Sequence, residues 1–147
     1  MSRPSKVVIT GGAGFIGSHL AERLLSSNGT EVVVFDSFRH GENTNLESLA
    51  GNPKLRLVHG DIRNQKQVED LFNEGVDLVY HLSSIVGIEH YCRDPLEVID
   101  VNVLGTRYVA EMALKMNFRI IYASTSEVFG RNPKIPWGEN DDRVLGS

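Results

Sequence analysis

Thr10-Gly11-Gly12-Ala13-Gly14-Phe15-Ile16-Gly17 follows the apolar run Lys6-Val7-Val8-Ile9 and opens into Ser18-His19-Leu20-Ala21-Glu22-Arg23-Leu24-Leu25, whose apolar residues recur at helical spacing. A strand, a glycine-rich turn and a helix in that order make a phosphate-binding βα unit. Gly11, Gly14 and Gly17 would let the chain reverse, let a pyrophosphate approach the backbone, and let the helix sit close to the strand. The N–H groups of the first helical turn, around Phe15 and Ile16, then face an anion along the favourable direction of the helix dipole. Glycines at this spacing also occur in ordinary flexible turns, so the reading depends on what lies downstream.

Asp36 lies there, at the end of the apolar run Val32-Val33-Val34-Phe35. It follows Gly17 by roughly 20 residues, the distance expected for a carboxylate that accepts from the adenosine ribose hydroxyls of a dinucleotide. Its charge would repel a 2′-phosphate, so NAD is expected in preference to NADP, although Arg39 is near enough to argue the other way.

Beyond Asp36, short apolar runs alternate with helical patterns. Strands are expected at 6–10, 31–35, 54–59, 77–82 and 118–123, and helices near 15–27, 64–74 and 94–116, with a loop at 37–53 that has room for one helical turn. Near-continuous apolar strands suit a parallel sheet covered on both faces. Asn64 is a candidate N-cap for the helix carrying Val68, Leu71 and Phe72 on one face. Asp94, Pro95 and Glu97 resemble an N-cap, a first helical residue and a reciprocal capping carboxylate. Within the long helix, polar Asn102 is expected to hydrogen-bond a neighbouring loop or strand end. Gly105 points to close packing against the first helix or the cofactor loop. Right-handed crossovers give an α/β Rossmann fold, a doubly wound parallel sheet in the order 3-2-1-4-5, with ligand at the carboxyl ends of strands one and four.

Composition narrows the function. The chain has 147 residues, 41% of them hydrophobic, and a net charge of -4, so nothing marks disorder or a nucleic-acid arm. One cysteine, Cys92, allows neither an intrachain disulfide nor a thiolate cluster and reads as a structural intracellular thiol. No metal site is expected. Met1-Ser2-Arg3-Pro4-Ser5 lacks the apolar stretch of a signal peptide, and no segment approaches the roughly 20 apolar residues of a membrane span, so a cytoplasmic location without a membrane partner is expected.

These residues resemble the extended short-chain dehydrogenase/reductase family of nucleotide-sugar epimerases, dehydratases and decarboxylases. The likeness covers Thr10 to Leu20, Asp36, Gly60-Asp61-Ile62-Arg63, His81-Leu82-Ser83-Ser84, the Pro95 helix with Asn102, and Ser124-Thr125-Ser126-Glu127-Val128-Phe129-Gly130. It implies that Asp61 and Ile62 contact adenine, that Leu82, Ser83 and Ser84 line the path of the cofactor's ribose and pyrophosphate with Asn102 in support, and that Ser124 lies near the nicotinamide. It implies substrate contacts at Val86, Glu89 and Tyr91 and a catalytic trio Thr125, Ser126 and Glu127. In the family, the position of Thr125 orients the sugar's 4-hydroxyl while a Tyr from a Tyr-x-x-x-Lys motif removes its proton and NAD accepts the C4 hydride. Dehydratases usually carry Asp-Glu where Ser126-Glu127 stand here. Thr-Ser-Glu and Tyr91 instead resemble UDP-glucuronate decarboxylases, while Phe129 departs from the more usual Tyr.

No Tyr-x-x-x-Lys occurs in the sequence: Tyr80, Tyr91, Tyr108 and Tyr122 precede Ser84, Pro95, Met112 and Ser126 by four. The chain is therefore expected to be the N-terminal cofactor domain of a longer enzyme, inactive by itself, with a naturally short protein as the alternative. The expected activity is decarboxylation or 4-epimerisation of UDP-glucuronate. A 4,6-dehydratase, or a non-catalytic NAD-binding regulator, stands as the competing reading. A homodimer is expected through the helix at 94–116, with Val98, Val101, Leu104, Tyr108, Met112 and Met116 facing outward.

Overall fold

A computed structural model describes residues 4–27, 29–39 and 43–146; Met1-Ser2-Arg3 and positions 40–42 of the 37–53 loop lie outside the described residues. Five strands, β1 (Lys6–Thr10), β2 (Glu31–Asp36), β3 (Leu55–His59), β4 (Leu78–His81) and β5 (Arg119–Tyr122), form one parallel sheet in the expected order β3-β2-β1-β4-β5. The central register pairs Val8 with Val33 on one side and with Val79 on the other.

Because side chains alternate along a strand, the two central strands feed two cores. Val7, Ile9, Val32 and Val34 join Ala21 of helix α1 (Phe15–Leu25) and Leu46 and Leu49 of a 3-10 segment (Asn43–Leu49). Val8, Val33, Phe35 and Val79 join Val68, Leu71 and Phe72 of α2 (Gln65–Phe72) on the other face, together with Val101, Val109 and Met112 from the long helix. Asn64 caps α2 as expected, accepting from the Gln67 N–H.

The long helix differs from a uniform α-helix. It runs as α4 (Pro95–Ile99), a π-helical segment (Asp100–Gly105) and α5 (Thr106–Met116), preceded by an additional short helix α3 (Ile88–Arg93). Asp94 caps α4 by accepting from Glu97 N–H. The reciprocal contact from Glu97 is not made, because the Asp94 N–H is already donated to the His90 carbonyl of α3. Gly105 is close-packed, but against Ile62 rather than α1 or the glycine loop: a Cβ there would lie 2.6 Å from Ile62 Cγ2.

Two further expectations are corrected. Cys92 is exposed on α3, so it has no structural role in a core. Of the six residues expected on the outward face of the long helix, only Met116 is exposed. Val101 and Met112 are buried, and Val98 and Tyr108 pack on the same core, because their three-to-four spacing is the stripe that covers the sheet and α2. The outward apolar stripe is instead Leu96, Ile99, Val103 and Leu114. No helix among the described residues is long and apolar enough to cross a membrane.

Candidate functional site

The carboxyl ends of β1, β2, β4 and β5 border a cleft in two parts. A cavity of about 190 Å³ lies between the tips of β2 and the long helix. A larger one of about 690 Å³ runs toward the end of β5, and both are lined by Gly11, Gly14, Leu82, Ser83 and Ser84.

The three glycines of the turn, Gly11, Gly14 and Gly17, have different physical reasons. Gly11 has φ +70°, and a Cβ on it would meet Ser83 N at 2.7 Å, so the loop after β4 demands its bare backbone. Gly17 is packed against the turn, where a Cβ would fall 2.6 Å from both Gly11 O and Gly12 Cα. Gly14 is unlike them. Its φ of -71° suits any residue, and a Cβ would meet only Gly11 O at 3.4 Å. The protein itself therefore gives little reason for glycine at 14. The space in front of it is open, beside a helix start with no side-chain cap and no acidic residue in its first turn. A bare backbone and the positive end of a helix dipole at one point suit a phosphate.

Asp36 is fixed beside this point, its Oδ2 accepting from Ala13 N–H at 2.9 Å and its Oδ1 from Phe38 N–H at 2.8 Å. Each oxygen keeps a further lone pair for a ligand hydroxyl. Across the smaller cavity Asp61 holds Arg63 through Nε and NH2, and this hydrogen-bonded pairing keeps the Asp61 carboxyl below the usual carboxylate range. Ile62 lines the same cavity.

The loop after β4 is held by a directional chain of hydrogen bonds centred on His81, which is buried at the strand end. The Thr106 hydroxyl donates its one proton to the Asn102 carbonyl at 2.7 Å, so it must accept from His81 Nε2 at 2.9 Å. Nδ1 is then the unprotonated nitrogen and accepts from the Thr10 hydroxyl at 2.7 Å. Thr10 Oγ1 in turn accepts a long bond from Ser83 N–H at 3.4 Å. The arrangement requires neutral imidazole, and burial pushes the His81 pKa down to about 4. Asn102 secures the next residues: Oδ1 accepts from Ile85 N–H at 2.8 Å and Nδ2 donates to Ile85 O at 2.9 Å. The loop-binding role expected of Asn102 is thus present, and its amide shapes the wall of the cleft rather than standing free in it. The π-helical segment brings Asn102 to this loop and Gly105 to Ile62.

At the far end, Thr125 caps the 3-10 turn Ser126–Phe129 by accepting from Glu127 N–H at 3.2 Å. That leaves the hydroxyl proton of Thr125 available to the cleft, which Ser124, Thr125 and Glu127 all line. Phe15, Ile16, Val86 and Tyr91 form its exposed apolar margin. Two expected residues stand apart: Ser126 does not line the cleft, and Glu89 is exposed and paired with Arg93. The sequence gives no role in the site to His81 and Thr106 on the floor of the cleft or to Arg63 beside the smaller cavity, and gives Glu97 only a helix-capping one. A histidine within an apolar strand was the available signal for the first pair. Arg63 and Glu97 are 34 positions apart and gave none.

Comparison with known proteins matches residues 7–145 to the model of the NAD dependent epimerase/dehydratase family. A UDP-N-acetyl-alpha-D-glucosaminuronate decarboxylase of Bacillus cytotoxicus is 39% identical over 142 residues, 97% of this chain and 43% of that protein. UDP-glucuronic acid decarboxylase 1 of Arabidopsis thaliana is 40% identical over 125 residues, 85% of this chain and 27% of that protein. The chain thus spans less than half the length of either relative. Among solved structures, the UDP-glucuronic acid 4-epimerase of Bacillus cereus, in complex with UDP-glucuronic acid and NAD, superposes with a TM-score of 0.85 at 29% identity, over 95% of this chain and 46% of that one. The UDP-Glc/GlcNAc 4-epimerase of Campylobacter jejuni does so with a TM-score of 0.88 at 25% identity, over 96% and 43%.

Proposed function

The chain belongs to the NAD dependent epimerase/dehydratase family, and we propose that it is the NAD-binding part of an enzyme that modifies a UDP-linked sugar through transient oxidation at C4. The observation that carries this reading is the open space at Gly14, since of Gly11, Gly14 and Gly17 it is the one whose protein neighbours would admit a side chain. On this reading the pyrophosphate lies against Gly11, Gly14 and the first turn of α1, with Phe15, Ile16 and Gly17 around it. The adenosine occupies the cavity between Asp36 and Asp61–Ile62, and the nicotinamide lies beside Ser124. When bound there, NAD would supply a reversible hydride acceptor for C4 of the sugar.

Substrate choice rests on relatives and on residues at the end of β5. The two relatives described act on UDP-linked uronates by name, and Thr125-Ser126-Glu127 carries one carboxylate where a dehydratase pair would carry two. UDP-glucuronate is the substrate proposed, with decarboxylation ahead of 4-epimerisation. A 4-keto group places the C5 carboxylate β to a carbonyl, so carbon dioxide leaves to give an enolate. Thr125 positions the 4-hydroxyl with its free proton, and Glu127 acts at C5 by repelling the departing carboxylate or handling the returning proton. The Tyr/Lys proton acceptor is not among these 147 residues and is assigned to a longer polypeptide. In an enzyme holding both parts, Glu127→Gln should allow the C4 hydride to transfer and slow the steps after it, so single-turnover absorbance at the reduced nicotinamide band should rise and persist. Thr125→Val should suppress that rise. Equal suppression in both variants would remove Glu127 from the later step.

We further propose that the enzyme is a homodimer joined through Leu96, Ile99, Val103 and Leu114, an exposed apolar row on one helix. Sedimentation at micromolar concentration should give the dimer mass, and Val103→Asp should shift it to the monomer. A wild-type monomer would contradict the assignment. A cytoplasmic setting suits the exposed, unpaired Cys92, and cell fractionation checks it.

A further inference from the structure

Five ionisable side chains surround the smaller cavity, and one of them carries no assigned role. Asp36, Asp61, Arg39, Arg63 and Glu97 of α4 all line it, and Glu97 pairs with both arginines. Glu97 Oε1 accepts from Arg39 NH1 at 2.7 Å and from Arg63 NH1 at 3.2 Å. Arg63 has the rest of its guanidinium on Asp61. Arg39 has only the Glu97 bond among the hydrogen bonds described, and its side chain is 56% exposed on the loop three residues past Asp36. Three carboxylates against two guanidiniums leave the cavity with one net negative formal charge.

We propose that Glu97 is a specificity residue for the cofactor: by engaging both Arg39 and Arg63 it withholds from the adenosine cavity the guanidinium that a 2′-phosphate needs. The inference rests on the reading of this cavity as the adenosine site. A ribose 2′-hydroxyl needs an acceptor, which Asp36 supplies from a fixed position. A 2′-phosphate brings close to two negative charges and needs a cation able to move to it. Arg39 is the residue with the reach and exposure to respond. Paired with Glu97 on α4, its guanidinium is committed to a carboxylate, while Asp36 would repel the phosphate. With Glu97 removed, the formal charge rises to neutral and Arg39 is free to form bidentate contacts with phosphate oxygens. Glu97 acts from a different element, 61 residues along the chain from Asp36, so selectivity here would not reside solely in the loop after β2.

The test is calorimetric titration of NAD and NADP into the chain at low and high ionic strength. Glu97→Gln is expected to lower the NADP dissociation constant about tenfold relative to that of NAD, as a partly screened charge partner is released. Adding Arg39→Ala to that variant should cancel the gain, and raising the salt should erode it. Arg39→Ala alone, at an exposed position and independent of how Glu97→Gln folds, should change the NADP-to-NAD ratio less than twofold, because the wild-type arginine is already engaged. A ratio unmoved by Glu97→Gln, or a large loss of NADP binding in Arg39→Ala alone, would overturn the proposal while leaving the cofactor site intact. A wild-type chain that binds neither dinucleotide would overturn the cofactor reading itself.

Discussion

Gly14→Val is expected to abolish NAD binding while the fold persists. The two halves of that result have separate causes. A valine side chain at 14 would project into the open region before α1, where the pyrophosphate is placed, and its γ carbons have no route past a bound phosphate. The same side chain meets little protein, since even the β carbon reaches only Gly11 O at 3.4 Å, and its backbone angles are ordinary. Replacing glycine by valine at an N-cap should cost about 1 kcal/mol of stability. Gly17→Val is the contrasting case. Its β carbon would overlap backbone atoms at 2.6 Å, and backbone cannot step aside, so a loss of about 3 kcal/mol or more is expected. Calorimetry with NAD and denaturant titration of both variants distinguish the roles. Asp36→Ala should weaken NAD by about 1–3 kcal/mol through loss of a charged acceptor. Unchanged NAD affinity in Gly14→Val would remove the main support for the site.

The second large effect is loss of stability in mild acid, driven by His81. Its pKa is pushed down to about 4 by burial, against an ordinary value of 6.5 in the unfolded chain. Above 6.5 neither state holds the proton, and stability is full. As pH falls below 6.5 the unfolded chain takes up a proton that the folded chain refuses, so stability declines until the folded histidine also titrates near 4. A gap of this size corresponds to about 3 kcal/mol. Protonation would also turn Nδ1 into a donor facing Thr10, reversing one link of the chain that holds Ser83. The carboxyls of Asp61 and Asp77 are held low by hydrogen bonds from Arg63 and from Ser5. Their contribution is lost only below the ordinary carboxylate range, so the window from 6.5 to 4 is the one in which His81 acts. Urea unfolding at a series of pH values should show this slope, and His81→Phe, less stable at neutral pH, should flatten it. A wild-type profile that is level between pH 7 and 4 would contradict the assignment.

Much of this architecture was readable from local pattern. Apolar four- and five-residue runs punctuated by glycine turns marked the parallel strands. Order followed from crossover handedness, and Asn64 and Asp94 announced their helices by cap chemistry. The site was readable where residues adjacent in sequence stay adjacent in space, as in 11–17 and 124–127. It was obscure where long-range pairing decides. Glu97 looked like the second half of a capping box because nothing in the sequence tells that α3 takes the Asp94 N–H, or that Arg39 and Arg63 converge on its carboxylate. The outward face of the long helix was misassigned because Val101 and Met112 are as apolar as Leu96 and Val103, and only the position of the sheet distinguishes them. The π-helical segment at 100–105 leaves no periodic signal over so few residues; it is tied to tertiary contacts of Asn102 and Gly105.

A crystal structure of the chain grown with NAD would show whether one dinucleotide spans the two cavities across Gly14. Pyrophosphate oxygens are expected within hydrogen-bond distance of the first-turn N–H groups of α1, ribose hydroxyls on Asp36, adenine beside Asp61 and Ile62, and nicotinamide beside Ser124. Dinucleotide bound elsewhere, or a phosphate that leaves Gly14 uncovered, would contradict this placement.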